Sequence, residues 1–112
     1  MNAPRVQQLS ADVCAAPQLD PSAMAWAAQA GFKSVVNNRP DFEGGPDQPT
    51  SAQMAQAAAA AGLAYAYLPV EPAEHTPEQI AGLARLLQDL PKPVLLYCRS
   101  GSRSSMLYRA TL

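Results

Sequence analysis

Apolar positions in this chain fall into short runs separated by stretches with a longer period, and the changes between the two patterns mark its elements. Apolar runs at Asp12–Ala16, Phe32–Asn37, Leu63–Val70 and Val94–Tyr97 have the length of buried strands and are bounded by turn formers. Between them the spacing becomes helical. After Asp20–Pro21, an N-cap followed by proline at the first helical position, Ala23, Trp26, Ala27 and Ala30 share one face and Gly31 is the stop. Thr50 with Gln53 and Thr76 with Gln79 are capping-box pairs. They open two more helices, one with Met54, Ala57, Ala58 and Ala61 on its buried face before Gly62, the other with Ile80, Leu83, Ala84, Leu87 and Leu90. Strand and helix alternate without a two-residue hairpin signal. That pattern predicts an α/β fold: one three-layer domain over residues 1–112, with helices flanking a mainly parallel sheet of four to five strands. Residues 1–8 are expected to form a flexible leading segment.

Composition modifies this picture in one respect. Apolar residues make up 48% of the chain, but 22 of its 112 residues are alanine, so the bulky core is small and the helices must pack closely. The formal net charge of −1 is no footprint for nucleic acid or an anionic membrane, and neither partner is expected. Met1–Ser10 lacks an apolar signal core and no run reaches transmembrane length, so the chain reads as cytoplasmic. Cys14, Cys98 and the single histidine, His75, are too few for a disulfide framework or a zinc site; no metal and no cofactor is expected. Cys14 is read as a small core residue.

The chemistry concentrates where the last apolar run ends. Val94–Tyr97 leads into Cys98–Arg99–Ser100–Gly101–Ser102–Arg103, and the residues from Ser104 onward can start a helix. In a tight strand-to-helix loop, backbone N–H groups converge, the helix N-terminus adds positive dipole, and an arginine supplies a planar cation. Such a nest binds an anion, and a cysteine at its first position is favoured as the nucleophilic thiolate. Cys98 and Arg103 are the expected catalytic residues. Gly101 lets the backbone turn inward, and Ser100, Ser102 and Ser104, with the loop amides and Arg99, are expected to bind the anion. Ligands of parallel sheets bind at the carboxyl ends of the strands, where the polar loops Asn38–Glu43 and Glu71–His75 also fall.

The Cys98 loop resembles two groups of enzymes. Protein tyrosine and dual-specificity phosphatases place five residues between cysteine and arginine; rhodanese-type sulfurtransferases use a loop shorter by one, and Cys98 and Arg103 have four residues between them. The segments Val35–Asp41, Tyr67–Val70 and Cys98–Ser104 resemble a bacterial family of phosphatase-like domains found with beta-lactamase-hydrolase-like proteins, the domain-of-unknown-function family 442. The resemblance runs from about Leu9 to the end. It implies the dual-specificity phosphatase fold, with Cys98 as nucleophile, Arg103 as anion-binding arginine, and Arg39 and Asp41 on the pocket rim. Only eight residues follow Ser104, short for the last helix of that fold, so either the chain stops early or it is a piece of a longer protein.

Two chemistries compete. In sulfur transfer, Cys98 takes a sulfane sulfur from a small-molecule donor such as thiosulfate or glutathione persulfide and passes it to a thiol or cyanide acceptor. The resemblance adds a fused or separate persulfide-oxidising enzyme as a partner. In phosphate-monoester hydrolysis, Cys98 attacks phosphorus and a general acid protonates the leaving oxygen. The acid candidates are Glu74, Glu71 and His75, with Asp41 and Glu43 on the other loop, and none is the expected aspartate on the loop before the third helix. The short loop therefore favours sulfur transfer, phosphatase is the alternative, and a non-catalytic sulfur carrier or phospho-ligand module is the third reading. Oligomeric state is left open.

Overall fold

The structure, a computed structural model, describes residues 4–73 and 75–112. Five strands and four helices follow in the order β1 (Gln7–Gln8), β2 (Val13–Ala16), α1 (Ala23–Gln29), β3 (Ser34–Asn37), α2 (Ser51–Ala60), β4 (Ala64–Tyr67), α3 (Pro77–Asp89), β5 (Val94–Tyr97) and α4 (Ser102–Ala110). The sheet order is β1-β2-β5-β3-β4. β2, β5, β3 and β4 run parallel, and only β1 is antiparallel, pairing Gln7 with Ala15 and Gln8 with Cys14. The α/β expectation holds, with two departures at the N-terminal side. The segment 1–8, expected to be flexible, ends in a paired edge strand, because β2 offers a free row of backbone donors and acceptors on that side. α1 begins at Ala23 rather than Pro21, although Asp20 still caps it from upstream by accepting the Ala23 N–H at 3.0 Å.

β5 is the central parallel strand, and its sequence says so. All four of its side chains are buried, as expected for a strand covered on both faces. Leu95 and Tyr97 pack with Met24 and Ala27 of α1 and with Met54 and Ala58 of α2. Val94 and Leu96 point the other way, to Leu83 of α3 and Leu107 of α4. The period-2 alternation thus divides one strand between two cores, and the small alanines of α1 and α2 let those helices lie close to the sheet. Both capping boxes form as expected, Thr50 with Gln53 and Thr76 with Gln79. No helix among the described residues is long and apolar enough to cross a membrane.

This winding fixes the site. The chain leaves β2 and β3 for helices on one face and leaves β5, which lies between them, for α4 on the other. Loops that diverge to opposite faces open a crevice at the carboxyl end of β5. Cys98 is the first residue beyond that end.

Candidate active site

The turn out of β5 is built on Gly101. Its φ of +94° is left-handed, and an added Cβ would lie 3.4 Å from the Ala16 backbone carbon. From that conformation the chain enters α4 at once, with the Ser105 N–H donating to the Gly101 carbonyl at 3.0 Å. α4 consequently starts at Ser102, and Arg103 stands in its first turn rather than in a loop preceding it. Cys98 is fully buried, and its Sγ accepts the Gly101 N–H at 3.1 Å. The loop is fastened to the β2 end by Cys98 N–H to the Ala16 carbonyl at 3.4 Å and Gln18 N–H to the Arg99 carbonyl at 3.1 Å. Ser100 Oγ accepts the Ser102 N–H at 3.3 Å, which caps the start of α4.

A cleft of about 880 Å³ opens over this turn, and Arg99, Ser100, Ser102 and Arg103 form one wall of it. Arg39, Glu43 and Gly44 from the loop after β3 form another, with Glu71 and Pro72 from the loop after β4. The central contact is a two-pronged ion pair: Arg103 Nη1 donates to Glu43 Oε2 at 2.8 Å and Nη2 to Oε1 at 2.6 Å. Arg103 Nη1 also donates to the Val70 carbonyl at 3.1 Å. Arg39 Nε donates to Glu43 Oε1 at 3.0 Å, and Arg39 Nη1 to Gln18 Oε1 at 3.1 Å. The Arg103 hydrogen bond, followed by the one from Arg39, holds the Glu43 carboxyl below the usual carboxylate range despite partial desolvation. The same bond from Glu43, together with its charge, raises the basicity of Arg103 against partial desolvation. Gly44 leaves the Arg39 guanidinium room, since a Cβ there would fall 2.7 Å from Arg39 Nη2 and that side-chain end would have to shift.

Of the expected site residues, Arg99, Ser100, Ser102, Arg103 and Arg39 line the cleft, Cys98 and Gly101 are buried in the turn beside it, and others are separated from it. Asp41 is turned away from it. Its carboxylate accepts the Ser51 N–H at 2.8 Å, where it satisfies an open donor at the α2 N-terminus, and its own N–H donates to the Tyr67 hydroxyl. Ser104 is fully buried and its hydroxyl donates to Asn38 Oδ1 at 2.8 Å; as the third residue of α4 it faces the end of β3, not the anion nest. Of the acid candidates, Glu71 lines the cleft and His75 does not, while Glu74 lies outside the described residues. Cys14 sits opposite Leu95 in the sheet, three residues before Cys98, about 10 Å away at strand rise. That is too far for a disulfide, and burial pushes its thiol up. Among the described residues no group of three or more potential ligands could hold a metal ion.

Sequence reasoning offered Glu43 only as an acid candidate and missed its contact with two arginines. The only local signal was its place four residues after Arg39 in a polar loop at a strand's carboxyl end. Gln18, which anchors Arg39, carried no signal at all.

A cysteine at the switch point, under a left-handed glycine and beside a buried arginine, can be compared with known proteins. The beta-lactamase hydrolase-like protein, phosphatase-like domain matches residues 5–111. The chain belongs to that family. A beta-lactamase hydrolase-like protein of Agrobacterium fabrum is 38% identical over 78 residues, which are 70% of this chain and 18% of that protein. The chain therefore spans about a fifth of that relative's length. The crystal structure of a candidate phosphatase from Neisseria meningitidis superposes with a TM-score of 0.83 at 32% identity, covering 91% of this chain and 72% of that one. Tk-PTP, in a mutant form, superposes with a TM-score of 0.69 at 19% identity, covering 94% of this chain and 77% of that one. This phosphatase-like domain thus has the tyrosine and dual-specificity phosphatase fold.

Proposed function

We propose that this domain is a cysteine-dependent phosphatase that hydrolyses phosphate monoesters. The observation that carries the reading is one tight turn that sets Cys98 Sγ under the Gly101 N–H at 3.1 Å and leads directly to the buried Arg103 in the first turn of α4. The family's phosphatase-like description and the Neisseria neighbour support it. In this reading the phosphoryl oxygens take the loop amides and the N–H groups of Arg103 not held by protein. The Cys98 thiolate attacks phosphorus as the bond to the ester oxygen breaks, and Glu71 gives the leaving oxygen its proton. Water then attacks the phosphocysteine, its proton returns to Glu71, and inorganic phosphate leaves with the thiolate restored. Glu71 is assigned the acid role because it lines the cleft, whereas Glu43 is held ionised by two guanidiniums.

Sulfur transfer is the second reading, and the four-residue spacing between Cys98 and Arg103 is the observation that favours it. A persulfide on Cys98 needs the same amides and Arg103 but no acid at the departing sulfite. A persulfide-oxidising partner, fused or separate, belongs to that reading.

One experiment separates the two. Wild type and Cys98→Ser are assayed for release of phosphate from an aryl phosphate, and their intact masses are measured after exposure to thiosulfate or glutathione persulfide. Cys98-dependent phosphate release without a stable sulfur adduct is the expected result. A gain of one sulfur on Cys98, lost on adding cyanide, with no phosphate release would overturn the phosphatase reading in favour of sulfur transfer.

A further inference from the structure

Three arginines line the cleft, and two of them are paired with Glu43. Arg99 is the third. It is exposed, and among the described residues its guanidinium meets no carboxylate and no other acceptor. Its backbone is nevertheless fixed, since its carbonyl accepts the Gln18 N–H at 3.1 Å. The position is an unfavourable one for a cation. Arg99 stands two residues before Gly101, the N-cap of α4, and no acidic residue lies in the first turn of that helix. It therefore faces the positive end of the helix dipole without compensation, and no contact of the scaffold accounts for an arginine there. Space points to a ligand as well. The cleft holds about 880 Å³, room for a whole small molecule, of which a phosphoryl group in the nest takes one corner. Positive charge also continues past the turn, because the exposed Arg5 lines a recess of about 170 Å³ that shares Ser100 with the cleft wall.

We infer that Arg99 is a specificity-determining residue. It takes a second anionic group of the substrate, a phosphate or a carboxylate set apart from the phosphoryl group that Cys98 attacks. The inference rests on the phosphatase reading and narrows it, from phosphate monoesters in general to those that carry a further negative charge. Arg103, buried in the first turn of α4, serves the reacting phosphoryl group. Arg99, ahead of the helix and free of protein partners, meets the part of the substrate that does not react. A contact to that part is the same in the ground state and the transition state, so it lowers KM and leaves kcat as it was.

The test uses three aryl esters: phenyl phosphate, 4-carboxyphenyl phosphate and 1,4-phenylene bisphosphate. Each is hydrolysed by wild type, Arg99→Gln and Arg99→Lys, and comparing the proteins on one ester at a time cancels differences between leaving groups. Arg99→Gln is expected to raise KM about fivefold for a doubly anionic ester, the upper end for a partly exposed charge pair, with kcat held. For phenyl phosphate the rise should be less than about twofold. Whichever of the two doubly anionic esters loses more tells phosphate from carboxylate. Arg99→Lys should recover most of the loss, and added salt should shrink it. The melting temperature of Arg99→Gln should hold or rise, since a cation leaves the positive end of a helix. Arg109→Gln, the same loss of charge in the last turn of α4, should leave every KM unchanged. An equal rise for all three esters would place Arg99 on the reacting phosphoryl group, and no rise for any would make it a solvated surface charge; either result overturns the inference. A binding measurement keeps it apart from the phosphatase reading. Inorganic phosphate and methylenebisphosphonate, which carries two linked oxyanions, are titrated into Cys98→Ser with and without Arg99→Gln. If the wild type hydrolyses no ester, yet Arg99→Gln weakens bisphosphonate binding about fivefold and spares phosphate, the hydrolase falls and the second anion site stands. No hydrolysis and no such difference would remove both.

Discussion

Replacing Ser104 by alanine distinguishes a hydroxyl that binds substrate from one that holds the scaffold. Ser104 Oγ donates to Asn38 Oδ1 at 2.8 Å, and both residues are fully buried. Asn38 makes three further bonds, to β5 and to the segment after β4: its N–H donates to the Tyr97 carbonyl, its Nδ2 to the Leu68 carbonyl at 2.8 Å, and its carbonyl accepts the Val70 N–H. Ser104→Ala removes the donor and leaves Asn38 Oδ1 buried without one, which costs about 1–3 kcal/mol. With an unfolding entropy of about 2.1 cal/mol/K per residue, a chain of 112 residues loses roughly 4 °C of Tm for each kcal/mol. The expected fall is therefore about 4–13 °C in a thermal melt. Phosphate affinity of the folded variant, measured well below its Tm, should change by less than about threefold, well under 1 kcal/mol. An unchanged Tm with a tenfold loss of phosphate affinity would refute the argument and return Ser104 to the anion nest.

Gly101→Ala forces a side chain into a left-handed φ of +94° and to 3.4 Å from the Ala16 backbone. It should cost about 1–2 kcal/mol in a denaturant melt and abolish most of the Cys98-dependent turnover, because the N–H that faces Sγ moves with the turn. Asp41→Ala removes the carboxylate that accepts the Ser51 N–H. It should lower stability by about 0.5–2 kcal/mol, as loss of a helix cap does, while phosphate binding to the folded protein stays intact. The Glu43 carboxyl is held down by Arg103 and then Arg39, so its folded pKa lies below its unfolded one. Its contribution to stability is full above the ordinary carboxylate value of about 4.3 and is lost as pH falls through the folded pKa. Acid unfolding of wild type against Glu43→Gln should show the two curves converging below that value; a constant gap across the acid range would show that no such ionised contact exists.

The elements and the place of the chemistry are legible in the order of residues alone. The apolar run Val94–Tyr97 reads as a strand covered on both faces, both Thr–Gln pairs form their capping boxes, and the alternation of strand and helix from β2 onward points to crossovers and a mainly parallel sheet. Gly101, three residues after Cys98, announced a turn that folds backbone N–H groups inward, because glycine enters the left-handed region without a steric penalty. These signals are local, so a linear reading reaches them. The direction in which each polar side chain points is set instead by packing between distant elements. Asp41 and Ser104 have the right residue types for an anion pocket, yet the start of α2 and the end of β3 lie nearer to them than the cleft does. Glu43 and Arg103 are sixty residues apart in sequence and meet because β3 and β5 are neighbours in the sheet. A carboxylate finds its arginines through space. No spacing along the chain encodes that meeting, and it is the sheet order that sets it.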